Sequence, residues 1–125
     1  MATILIVDDS PTLRASAQFT LESEGHTVIQ ADDGTTGLKA LEGLSADAAS
    51  DLKMIITDVN MPSMDGITFI SKVKETDYKY VPILVMTTES QDDMKNAGKA
   101  AGAAGWLVKP FKPEQLVGVV SKFVK

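Results

Sequence analysis

The sequence predicts an α/β protein: a doubly wound, five-stranded parallel sheet with five helices. Three observations predict it. Short apolar runs rich in Ile and Val recur along the chain, and they are continuous rather than alternating, as strands buried on both faces must be. Segments with helical spacing separate them. Strand and helix alternate strictly from one end to the other, which calls for right-handed crossovers and a parallel sheet.

The strand candidates are TILIV (3–7), TVI (27–29), MII (54–56), ILVM (83–86) and GWLV (105–108). Ser10-Pro11 reads as a cap followed by proline at the first helical position. It opens a helix through about Glu24, with Gly25 as its stop. Asp33 can cap a second helix with Leu38, Leu41 and Leu44 on one side, and Asp65 a third with Ile67, Ile70 and Val73 inward. Ser90 caps a fourth, in which Met94, Ala97 and Ala101 share a side. Pro113 starts the last, where Leu116, Val119, Val120 and Phe123 follow the i, i+3, i+4, i+7 rule. Residues 45–52, SADAASDL, lack a periodic face and read as a loop. The expectation is one domain over residues 1–125, with no effector domain.

Composition narrows the function classes. The 125 residues are 44% hydrophobic and 23% charged, an ordinary globular mix. No apolar run approaches the roughly 18 residues that span a bilayer, and no signal-peptide pattern opens the chain. Without Cys there is no thiolate chemistry, and a net charge of −5 disfavours binding nucleic acid through its phosphates. A cytoplasmic, monomeric protein is expected.

In open α/β sheets the functional crevice lies outside the carboxyl ends of the strands. Asp8 and Asp9 follow the first strand; Asp58 and Asn60 follow the third; Thr87, Thr88 and Glu89 the fourth; Lys109-Pro110 the fifth. Gln30-Ala31-Asp32-Asp33 ends the second, at the sheet edge. Singly, each has an ordinary reading as a turn, a cap or a strand end. Jointly they place three carboxylates, a hydroxyl and an ammonium at one rim. Such carboxylates repel unless a cation intervenes, and oxygen-only ligands suit Mg²⁺. Lys109 opposite them would attract an anion. A divalent metal beside a lysine, both facing an oxygen nucleophile, is what phosphoryl transfer needs.

ILIVDDSPTLR (4–14), IITDVNMPSMDG (55–66), PILVMTTES (82–90) and AGAAGWLVKPF (101–111) together resemble the receiver domain of two-component response regulators, of the single-domain chemotaxis CheY type. The resemblance covers essentially the whole chain. It implies a flavodoxin-like fold with strand order 2-1-3-4-5, an order inherited from the family and not read from spacing. It implies Asp58 as phosphoacceptor, Asp9 as direct Mg²⁺ ligand, Asp8 as a ligand largely through water, and the Asn60 carbonyl completing the protein's share. Thr87 and Lys109 would contact the phosphoryl group, and Asn60 and Glu89 would set its lifetime. The peptide into Pro110 is cis in the family.

Two departures stand out. Trp106 takes the switch position usually held by Tyr or Phe, and Thr88 stands where Ala or Gly is common. The implied donor is a histidine kinase. The implied output is a changed face on the fourth helix, fifth strand and fifth helix, offered to a flagellar motor switch or a phosphatase. A stand-alone receiver acting as phosphate sink or non-motor adaptor is the alternative. A haloacid-dehalogenase-type phosphohydrolase would need a carboxylate two residues after the nucleophile, where Asn60 stands. A flavodoxin would want a hydroxyl-rich loop in place of Asp8-Asp9-Ser10. His26 reads as a surface residue without catalytic role, and Met61 and Met64 as packing. The basic set Lys109, Lys112, Lys122 and Lys125 reads as a solvated face.

Overall fold

The computed structural model describes residues 2–59, 64–87, 102–109 and 111–124. Five strands form one sheet: β1 (Thr3–Val7), β2 (Thr27–Ala31), β3 (Leu52–Asp58), β4 (Ile83–Thr87) and β5 (Gly105–Val108). Their order is β2-β1-β3-β4-β5 and every pairing is parallel. The central strands β1 and β3 are buried almost throughout, whereas the edge strands β2 and β5 are only partly so. Continuous apolar runs therefore mark the middle of the sheet.

The described helices are α1 (Pro11–Ser23), α2 (Gly34–Glu42), α3 (Ala46–Asp51), α4 (Gly66–Val73) and α5 (Pro113–Phe123). Caps start α1, α2 and α4 as the sequence predicts. The Leu13 amide donates to Ser10 Oγ at 3.2 Å, that of Thr36 to Asp33 Oδ1 at 2.9 Å, and that of Thr68 to Asp65 Oδ1 at 2.8 Å. Each satisfies an amide that the first helical turn leaves orphaned. Beyond α1, Gly25 takes a φ of 92°, the left-handed conformation that glycine adopts without steric cost.

Segment 45–52 is not the expected loop. Ser45 caps the short helix α3, accepting from the Ala48 amide at 3.1 Å, and β3 begins already at Leu52. No residue of α3 is buried, so it has no apolar periodicity to betray it. The expected helix from Ser90 to Ala101 lies outside the described residues.

Alternate residues of each strand feed two apolar layers. Leu5, Val7, Ile55, Ile83 and Val85 meet Leu41 of α2 and Phe69, Ile70 and Val73 of α4. On the other face Ile4, Ile6, Met54, Ile56, Leu84 and Met86 meet Ala17 and Leu21 of α1 and Leu116 and Val120 of α5. Helices thus cover both faces, the doubly wound arrangement. In α4, Phe69 is fully buried, a core position the three-residue reading of that helix omits. No helix among the described residues is long and apolar enough to cross a membrane.

Candidate functional site

Register brings the first two acids together. Val7 pairs with Thr57, so the next residues, Asp8 and Asp58, emerge side by side at the carboxyl rim. Asp8 has no exposed surface and Asp58 is 5% exposed, while Asp9 faces solvent. Carboxylate oxygens of Asp8, Asp9 and Asp58 all lie within 4.8 Å of one another, an acidic cluster that could hold a metal ion.

Every atom of Asp8 that can bond is engaged. Its amide donates to the Ala31 carbonyl at 3.1 Å, continuing the pairing with β2. Its Oδ1 accepts from the Ser10 amide at 2.8 Å, and its carbonyl accepts from Nη1 of Arg14. Its Oδ2 accepts from Lys109 Nζ at 2.7 Å. The same ammonium donates to Asp58 Oδ2 at 3.0 Å, while Asp58 Oδ1 accepts from the Val59 amide at 2.7 Å.

Lys109 follows β5, two strands from β3, a lateral gap of roughly 9.5 Å at strand spacing. Its extended side chain closes that gap, leaving the side chain 14% exposed. The sequence puts Lys109 opposite the acids, where it would attract an anion; in the structure its ammonium pairs with both buried carboxylates, which repel without a cation between them. Three carboxylates against one ammonium still leave two negative charges.

Burial pushes the Asp58 carboxyl above its ordinary value of 3.8, with the neighbouring charge of Asp8 adding to the rise; the hydrogen bond and charge of Lys109 and the Val59 amide only partly counter it. For Lys109, burial works against the charged form, but the hydrogen bonds to Asp8 and Asp58 and their charges outweigh it. The ammonium is held above 10.5.

The glycine after the Asp65 cap also has a part that cap-and-turn chemistry does not reveal. The Gly66 amide donates to the Val59 carbonyl at 2.8 Å, and a Cβ there would run into the Asp58 carbonyl oxygen and come within 2.8 Å of Val59 Cα. The start of α4 is therefore pressed against the backbone that carries Asp58. Strand-end chemistry does not reveal Arg14 either. Its signal is position: four residues after the cap Ser10, one turn into α1, it shares the rim side of that helix.

Thr87 ends β4, one residue beyond Met86, which pairs with Asp58. Asn60, Thr88, Glu89 and Pro110 lie outside the described residues, as do Met61 and Lys125. Trp106 pairs with Val85 in β5 and packs half-buried against the layer containing Phe69, with its indole N–H buried and without an acceptor among the described residues. His26 is half-buried rather than on the surface, and its Nδ1 is buried without a partner among the described residues. Met64 packs against the α2–α4 layer, as expected of filler.

The model of the response regulator receiver domain matches residues 4–121. The chain belongs to that family. This receiver is 36% identical over 115 residues to chemotaxis protein CheY1 of Helicobacter pylori, covering 90% of this chain and 89% of that protein. It is 36% identical over 121 residues to chemotaxis protein CheY of Pseudomonas aeruginosa, covering 95% and 93%. Among solved structures, CheY4 of Vibrio cholerae superposes with a TM-score of 0.89 at 41% identity, over 98% of both chains. The receiver's two buried apolar layers and parallel sheet are thus those of the CheY-like fold.

Proposed function

We propose that this receiver is a phosphorylation-activated signalling module of a chemotaxis-type two-component system, working as a cytoplasmic monomer. The observation that carries the reading is the single ammonium of Lys109 shared between Asp8 and Asp58 beside the exposed Asp9. The similarity to curated chemotaxis regulators supports the setting.

In this reading the carboxylate of Asp58 is the nucleophile. The Val59 amide fixes Oδ1 and turns Oδ2 to the cleft. Oδ2 attacks the phosphorus of a phosphohistidine in line; the P–N bond breaks, and the imidazole leaves with the bonding pair and takes up a proton. Lys109, already on Oδ2, follows the charge onto a phosphoryl oxygen while keeping Asp8 as its second anchor. Thr87 supplies a hydroxyl to another phosphoryl oxygen.

Asp8, Asp9 and Asp58, with the carbonyl of Asn60, would hold Mg²⁺, whose charge would neutralise the phosphoryl oxygens during transfer. The donor set fits a hard cation, being oxygen only with two negative charges in excess of Lys109. Both Asp8 oxygens already accept from protein donors, which favours Asp9 for direct coordination. Hydrolysis of the acyl phosphate by water, with access tuned by Asn60 and Glu89, would return the free carboxylate and inorganic phosphate.

The mark adds about one to two negative charges at the rim. Thr87 and Thr88 then draw in, Trp106 turns, and the face formed by the fourth predicted helix, β5 and α5 changes for a target such as a flagellar motor switch. This is a two-state equilibrium, for which a few kcal/mol of bias suffices. A non-motor output is the second reading, favoured by Trp106: an indole N–H, buried without an acceptor among the described residues, is unlike the phenol usual at this position.

The decisive experiment is acid-labile labelling by a small phosphodonor with Mg²⁺. Asp58→Asn is expected to abolish it; undiminished labelling would overturn the assignment.

A further inference from the structure

Arg14 closes the motif ILIVDDSPTLR but has no part in the phosphoryl chemistry described above. We propose that it is a positioning residue for the acidic site. Clamped on the Asp8 carbonyl, its guanidinium fixes the Asp8–Asp9 peptide and so aims both carboxylates at the point where a divalent cation binds. The inference rests on the reading of Asp8 and Asp9 as cation ligands.

The guanidinium is held from both sides. Its Nη1 donates to the Asp8 carbonyl and its Nε donates to Gln30 Oε1 at 3.0 Å. Gln30 in turn donates through Nε2 to Gln18 Oε1, one helical turn beyond Arg14 on α1. The ring α1–β2–α1 is thereby closed around one planar fork, a geometry that Arg provides and a lysine point charge does not. A cavity of ≈ 240 Å³ lined by Arg14, Gln30, Ala31, Asp32 and Thr36 adjoins it. Packing alone does not force the side chain onto the carbonyl; its hydrogen bonds hold it there.

The consequence follows from peptide planarity. The Asp8 carbonyl and the Asp9 amide lie in one rigid plane, so holding the oxygen sets the direction in which Asp9 leaves the strand. Asp8 has burial and three other bonds to orient it. Asp9 is exposed, so the fixed plane behind it is what the backbone offers in place of packing.

A through-space role and a positioning role predict opposite signs. Removing a positive charge beside an acidic cluster strengthens cation binding by Coulomb attraction alone. Removing a clamp that orients the ligands weakens it, by roughly 10-fold or more for groups that orient metal ligands. The test is calorimetric titration of Mg²⁺ into the metal-free protein, with thermal melts alongside. Arg14→Gln is expected to weaken Mg²⁺ binding, Arg14→Lys to weaken it despite keeping the charge, and Gln30→Ala to weaken it to a lesser degree. Unchanged or tighter binding in the Arg14 variants overturns the proposal. Should Arg14→Gln fail to fold, Arg14→Lys and Gln30→Ala decide. A parent protein that binds no Mg²⁺ sinks the functional reading and this inference with it. A parent that binds Mg²⁺ and labels on Asp58, while the Arg14 variants keep its affinity, sinks this inference alone.

Discussion

Lys109 Nζ lies 3.0 Å from Asp58 Oδ2, joining residues 51 positions apart, and the same nitrogen is 2.7 Å from Asp8 Oδ2. One ammonium thus stands in the gap between the two buried carboxylates that the register of β1 and β3 sets side by side. It compensates them when no other cation is present, and on the proposed reading it is already in place for the charge that phosphorylation of Asp58 would bring.

Lys109 should therefore oppose metal binding and promote phosphorylation. Lys109→Gln is expected to tighten Mg²⁺ binding by roughly threefold or more at low salt, since a unit positive charge leaves the cluster. In the same variant the labelling rate should fall by about 100-fold, as when one fixed donor to a developing charge is lost. Titration calorimetry and phosphodonor kinetics read the two effects. A variant that loses Mg²⁺ affinity would show the ammonium to be organising the ligands instead of competing with them.

Stability should depend on pH through Asp58. Its carboxyl is raised in the folded state by burial, so its contribution is fully present below 3.8 and is lost as pH rises through the higher folded value. Asp58→Asn keeps a neutral group there. In metal-free buffer at pH 7 it is expected to melt at a higher temperature than the parent, with the gap closing below about pH 3.8. Lys109, raised in the folded state, contributes stability that is present below 10.5 and lost only above it. Melts at stepped pH check both signs, and added Mg²⁺ should narrow the neutral-pH gap by stabilising the parent.

Gly66 should tolerate no side chain. Gly66→Ala puts a methyl against the Asp58 carbonyl and Val59, and a loss of about 1–3 kcal/mol is expected, together with slower labelling as Asp58 is pushed from its place. Gly118→Ala is the control. No atom of the described residues beyond the helix's own backbone lies within 4 Å of a Cβ there, inside α5, so a gain of about 0.4–1 kcal/mol is expected. Urea unfolding of the two variants gives the comparison.

Trp106 is the only tryptophan, so its emission reports on β5 without interference. An aspartyl-phosphate mimic such as beryllofluoride is expected to change that emission in the parent and leave it unchanged in Asp58→Asn. A response surviving the substitution would show that the emission change does not come through Asp58.

How far the sequence reaches is clear from particular residues. Ser10, Asp33 and Asp65 are legible as caps because a cap and the amide it satisfies lie within one turn of sequence. Helix α3 is not legible by periodicity, since a helix with no buried face carries no apolar repeat. His26 shows the same limit from the other side: its half-buried ring depends on neighbours no local pattern announces.

The sequence by itself determined a five-stranded parallel sheet with a buried centre and the strand ends that carry Asp8, Asp9, Asp58 and Lys109, while the strand order came with the family resemblance. Apolar runs, caps and strand ends are short-range properties, and strict alternation leaves few ways to wind them. Only the tertiary structure decided that Lys109 bridges two aspartates, that Gly66 abuts the Asp58 carbonyl, and that Arg14 grips Asp8. Those relations depend on ångström-scale distances between segments far apart in the chain, set by strand register and by helix docking on the sheet, to which residue order alone assigns no value.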